Sequence, residues 1–155
     1  MLLDVENLIS DFIEVASISG FYVNRDDILY QALPAPHNPV NLPKNKQAVY
    51  VFSMPASNNK ILKVGKVGPK SNARFLSQHY NPKSSNSNLS ASLLKHPEMW
   101  MQLGISGGIN LSSVGDWLKQ NTDRENFYLD IRHGKYLLSL LEIFLQSRFN
   151  PIFEG

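Results

Sequence analysis

The carboxylate of Glu142 interrupts a run reading Leu137-Leu138-Ser139-Leu140-Leu141-Glu142-Ile143-Phe144-Leu145. The run is apolar around most of a helical circumference and must be largely buried. Ser139 and Gln146 stand one turn away on either side and Lys135 two turns back, so the four form one narrow polar stripe. Either that stripe faces water, or a rigid helix presents one acid to a cleft. In the second case the acid suits a hard cation such as Mg²⁺, which takes one or two protein carboxylates and keeps several waters.

A second cluster lies upstream. Tyr50 stands in QAVYVFSM (47–54), and Lys63 and Lys66 in KILKVGKVG (60–68). All three can face a common surface. Lys63 and Gly65 are two apart and share a strand face, where the glycine would let a ligand approach the backbone. Eleven residues after Lys63 comes Arg74, followed by His79 and Tyr80. A planar, permanently charged guanidinium suits bidentate contact with phosphate. Taken singly, each has an ordinary structural explanation as a packed tyrosine, a surface arginine or a satisfied histidine.

These residues need elements to hold them. Residues 47–54 and 60–68 are β-rich and flank PASNN (55–59), which is turn chemistry, so they read as an antiparallel hairpin. Short helices are expected from near Ser71 and over 89–96, where Pro97 helps close the second. The stretch 104–113 is flexible by composition, 114–121 is helical, and 125–131 alternates like a strand. KYLLSLLEIFLQSRF (135–149) is the best-defined helix, stopped by Asn150-Pro151. Residues 2–16 carry apolar side chains at helical spacing, whereas 31–47 hold four prolines and read as an irregular connector. The expected class is α+β: a small three-stranded antiparallel sheet flanked by helices. Residues 1–46 would form an N-terminal helix and Pro-rich extension, and 47–155 the catalytic domain, as one compact unit.

Composition narrows the chemistry. The chain of 155 residues has no cysteine, which excludes disulfides, Cys-ligated zinc and a thiol nucleophile. It has no apolar run near the ~18 residues that span a bilayer, and its acidic N-terminus is unlike a signal peptide. A cytoplasmic protein without a membrane partner is expected. From Ile28 to Pro97 there is no Asp or Glu, although nine lysines and arginines occur; all thirteen acids lie elsewhere. Such asymmetry suits a polyanionic partner, although a lysine-rich solvated face would look the same.

Together, Ala48-Val49-Tyr50, twelve residues, then Lys63-Val64-Gly65 resembles the hairpin of the GIY-YIG nuclease superfamily. Arg74, Glu142 and Asn150 fall where that family carries a helical arginine, a metal-binding glutamate and a trailing asparagine. The resemblance spans about 48–151. Alanine replaces the first glycine, the turn is slightly long, and lysine replaces the second tyrosine, as in some restriction-type members. Where members often carry a histidine or tyrosine one turn after the arginine, this chain has Gln78, with His79 and Tyr80 next.

The resemblance implies an endonuclease that hydrolyses phosphodiester bonds of nucleic acid, DNA in the first instance, using Mg²⁺ or Mn²⁺ at Glu142. Tyr50 would orient or deprotonate the attacking water, Lys63 would favour its phenolate, and Arg74 would bind the scissile phosphate. Lys66, Lys70, His79, Tyr80 and Asn150 are the candidates for substrate contact. Restriction-type members often work as homodimers. Two other readings fit the same residues less fully: a non-catalytic nucleic-acid-binding module on the same fold, and an interaction protein whose tripeptides match by chance.

Overall fold

A computed structural model describes residues 4–85 and 87–153. In chain order its principal elements are α1 (Val5–Ile18), β1 (Ile28–Leu33), β2 (Lys46–Met54), β3 (Lys60–Val67), α2 (Asn72–Leu76), α3 (Leu89–Lys95), α4 (Val114–Asn121), β4 (Asp123–Asp130) and α5 (Gly134–Phe149). The opening residues of the first expected helix lie outside the described residues. Asp4 caps that helix, its carboxylate accepting the Asn7 N–H.

The sheet is antiparallel throughout, in the order β1-β4-β2-β3. The class is α+β as the sequence indicates, but there are four strands, not three. The added strand is β1, which pairs with β4 from Ile28 opposite Leu129 to Leu33 opposite Arg124. It stops one residue before Pro34, so the prolines of 34–43 limit its length without preventing it. As an edge strand half open to solvent it shows no clean alternation, which hides it from pattern reading.

Helices cover both faces. Val49, Val51, Val64, Phe127 and Leu129 pack with α1 and α5 on one side. Ala48, Tyr50, Phe52 and Tyr128 pack with α2, α3 and α4 on the other. β2 is therefore buried on both faces, which is why its sequence is a nearly continuous apolar run. On α5, Leu137, Leu138, Leu141 and Leu145 are buried, each stabilising the layer by about 1.5–3 kcal/mol. That anchorage fixes the helix carrying Glu142.

Two local devices aim the site. The β2–β3 register shifts between Phe52 and Ser53, where Leu62 is the additional residue. This bulge sends Leu62 into the same apolar cluster as Tyr50 and Phe52. The proline-rich connector is also tied down: the His37 N–H donates to the Lys119 carbonyl at 2.9 Å, and its ring reaches the Thr122 carbonyl and the Tyr80 hydroxyl, each at 2.8 Å.

Candidate active site

Tyr50 occupies the middle of β2, opposite Gly65 on β3 and Asn126 on β4. Its ring lies across Gly65. A Cβ built on that glycine would stand 2.5 Å from the Tyr50 oxygen, so no larger residue fits beneath the phenol. The space over the glycine, expected to admit a ligand, is filled by the tyrosine.

Behind Tyr50 sits His79, 1% exposed, with Nε2 2.6 Å from the phenol oxygen. The Leu89 N–H donates to His79 Nδ1 at 3.2 Å. A neutral ring in that setting carries its proton on Nε2 and donates it to Tyr50. Burial holds the His79 pKa well below the usual imidazole range, and the charges of Arg124, Lys63 and Arg74 push the same way. Burial raises the Tyr50 phenol. The Arg74 guanidinium opposes this by charge and hydrogen bonding, Arg124 opposes it by charge, and Glu142 adds to the rise. The net effect corrects the expectation of a favoured phenolate: desolvation outweighs the nearby cations in the free protein.

Lys63 stands opposite Phe52, on the sheet face that carries Tyr50. Its side chain is buried, with the amine donating to the Phe153 carbonyl at 3.3 Å. Phe153 belongs to a tail whose N–H groups bond the edge of β3, Ile152 to the Ile61 carbonyl and Phe153 to that of Leu62. Lys66 lies opposite Val49, on the α5 face, so the two lysines do not share a surface. Asn150 caps α5 in the left-handed conformation, φ 45°, its N–H bonded to the Gln146 carbonyl.

Lys66 instead forms an ion pair with Glu142. The Glu142 side chain is 14% exposed and that of Lys66 40%. Both line a cleft of about 330 Å³ whose other polar walls are Gln47, Ser71, Arg74 and Lys135. A neighbouring, more open trough of about 540 Å³ is lined by Lys70, Arg74, Gln78, Ser85 and Ser87. Arg74 is exposed and stands in the wall of both.

The fold thus brings Lys66, Arg74 and Glu142 into one cleft, with Tyr50 fully buried in the sheet and within electrostatic reach of the last two. Lys70 flanks it. His79 is turned inward onto Tyr50. Tyr80 is buried against His37 and also accepts from Arg124 Nη1 at 3.2 Å, and Asn150 serves as a helix cap. Gln47 is a wall residue that sequence reasoning did not single out. Arg124 is a second omission: a strand read from Glu125 leaves it in the preceding turn, whereas β4 begins at Asp123.

Among the described residues no three His, Asp or Glu side chains gather into a metal-binding group. Glu142 is the one acid among the described walls of the cleft. A single carboxylate beside open, polar space fits a hydrated Mg²⁺ or Mn²⁺, which draws its remaining oxygens from water and substrate phosphate. Also among the described residues, no helix is long and apolar enough to cross a membrane. Comparison with known protein families, curated proteins and solved structures finds no match to this chain.

Proposed function

We propose that this chain is a metal-dependent endonuclease of GIY-YIG type, hydrolysing phosphodiester bonds in nucleic acid, with DNA as the substrate. The observation that carries the reading is the meeting of Arg74, Lys66 and Glu142, from three separate elements, in one cleft beside Tyr50. No common packing need calls for that set.

In this reading Arg74 grips the scissile phosphate and stabilises charge developing on its oxygens. Lys66, Lys70 and Lys135 hold neighbouring phosphates. Glu142 holds Mg²⁺ or Mn²⁺, which when bound supplies Lewis-acid polarisation of the phosphate and leaving oxygen. Tyr50, held by His79 from behind, orients the attacking water and accepts its proton. Lys63 and Tyr80 support this wall from within.

The test is cleavage of plasmid and labelled single strands with Mg²⁺, Mn²⁺ or EDTA, comparing wild type with Glu142→Ala. Cutting that needs metal and disappears in the variant is expected. Salt-sensitive binding without cutting of any substrate would favour a non-catalytic nucleic-acid-binding module instead. One observation speaks for that second reading: Lys66 already neutralises Glu142.

A further inference from the structure

α5 presents three strips to its surroundings. Leu137, Leu138, Leu141 and Leu145 are buried. Next round the helix come Lys135, Ser139, Glu142 and Gln146, of which Lys135 and Glu142 line the cleft. About a quarter of the circumference further on stand Tyr136, Leu140 and Ile143, four and three residues apart. Tyr136 is 71% exposed and Ile143 56%, whereas Leu140 is partly buried.

A helix face turned to water ordinarily carries polar side chains, so packing does not call for this third strip. The strip also adjoins the cleft. Lys135 is a cleft wall, and its amine lies 5.2 Å from the centroid of the Tyr136 ring. The cation leaves most of the tyrosine open to solvent. An open aromatic face continued by an aliphatic floor therefore lies beside a cleft walled by Lys66, Arg74 and Lys135. Those two surfaces match the two halves of a nucleotide, the ring to the base and the cations to the phosphate.

The trough that shares Arg74 with the cleft is different in kind. It carries Lys70, Gln78, Ser85 and Ser87, with Ala73 as its one apolar wall among the described residues. Charge and hydrogen bonds there suit a sugar–phosphate backbone, and no ring is offered to a base.

We propose that Tyr136, extended by Leu140 and Ile143, is a base-stacking platform, and that the substrate is a nucleic acid whose bases are unpaired where it runs along α5. This rests on the nuclease reading for the phosphate in the cleft. In a duplex each base is stacked between its neighbours, and freeing one costs a few kcal/mol. A single strand, or a strand unpaired at a fork, offers its base faces without that cost. Every base has such a face, so the platform selects strandedness and not sequence. A second copy of the chain is the other occupant an apolar strip could take. Three partly covered side chains fall short of the ~800 Å² per partner that a standard interface buries.

The experiment is fluorescence anisotropy in EDTA with three labelled probes: a single-stranded oligothymidylate, an abasic strand of equal length and charge, and a blunt duplex. Tyr136→Ala is expected to weaken binding of the thymidine strand by about 5-fold or more, the lower end for one base–aromatic stack. The abasic strand and the duplex should bind the variant as they bind wild type. Tyr136→Phe keeps the ring and should recover the affinity. The salt dependence should stay that of wild type, because no phosphate contact is lost. Tyr22→Ala, at a tyrosine 98% exposed beyond α1, is the control for loss of a surface ring and should bind as wild type does.

Unchanged binding of the thymidine strand by Tyr136→Ala would overturn the proposal. So would an equal loss for the abasic strand, or no binding of the thymidine strand by wild type. A wild-type dimer in sedimentation that Tyr136→Ala dissociates would overturn it in favour of self-association. Cleavage is read separately. Ring-dependent binding without any cutting would sink the nuclease reading and leave the platform standing, whereas cutting with ring-independent binding would sink the platform alone.

Discussion

The Tyr50 hydroxyl and His79 Nε2 meet at 2.6 Å, with ring centroids 4.7 Å apart, and the opposite ring nitrogen accepts the Leu89 N–H. Both faces of this histidine's chemistry are therefore committed to the fold. His79 and His37 both have pKa values lowered first by burial. The unfolded chain, with imidazoles near ~6.5, then binds more protons than the native state at mildly acidic pH. Stability is fully present above that value and declines as pH falls through it towards the depressed native values. Each histidine adds up to about 1.4 kcal/mol per pH unit to the slope. Urea melts at about pH 7, 6 and 5 should show the decline, and His79→Gln should flatten it by close to one proton's worth. An unchanged slope would mean that His79 titrates normally in the native protein.

Gly65 is fixed by the tyrosine above it, since an added Cβ would meet the Tyr50 ring carbon Cζ at 2.7 Å as well as its oxygen. Gly65→Ala should cost about 1–3 kcal/mol. That cost should largely vanish in a Tyr50→Ala background, where nothing lies over the glycine. A double-mutant cycle by denaturant unfolding reads the coupling; additive losses would show that the ring moves aside at no cost.

Arg74 is exposed, so Arg74→Ala should change stability by no more than about 0.5 kcal/mol. Under the proposed function the same change should slow single-turnover cleavage by about 10²–10³. A variant that cuts at the wild-type rate would remove the guanidinium from the phosphate.

The Lys66–Glu142 pair sets lysine against cation at one carboxylate. Both side chains are partly solvated, which limits the pair to about 0–1 kcal/mol. Lys66→Met should therefore melt near wild type yet bind Mn²⁺ more tightly, by several-fold in a calorimetric titration. Affinity that stays the same, or falls, would argue against Glu142 as the cation's ligand.

Phosphate contact should also appear in salt dependence. If Lys70 meets the backbone, Lys70→Ala should weaken duplex binding for every sequence alike. It should also reduce the slope of log affinity against log salt by about 0.9. Binding curves at three or four salt concentrations suffice to check this.

The buried elements were legible. α4 is found at 114–121 and α5 within a residue of 135–149, because their apolar periodicity or continuity reflects what they bury. The β2–β3 hairpin likewise follows from its composition and turn. The edge strand β1 was not legible: pairing on one side and partial exposure leave little pattern. Of the candidate residues, Arg74, Lys66 and Glu142 line one cleft, although spacing grouped Lys66 with Tyr50 and Lys63, and only the resemblance linked Arg74 with Glu142. Lys63 keeps the Tyr50 face but is not among those cleft walls, its amine bonded to the returning tail, and a contact so distant in sequence leaves no local signature. Arg124 was hidden by a strand start misplaced by two residues. A charge in a core is legible only when the strand's register is known.

The ties made by residues 28–45 bear on how this protein can vary. β1 closes the outer side of β4, His37 is joined through Tyr80 to Arg124, and Asn45 accepts the Ile131 N–H just before α5. The segment is thus a wall of the chamber rather than an attachment to it. Exchanging it for the corresponding segment of another protein would break the hydrogen bonds that run from His37 through Tyr80 to Arg124. New substrate preferences are more easily acquired where the chain is free to change length without touching those bonds, along the open trough beside Lys70, Ser85 and Ser87. In this fold specificity and chemistry can drift apart on one side of Arg74, and must change together on the other.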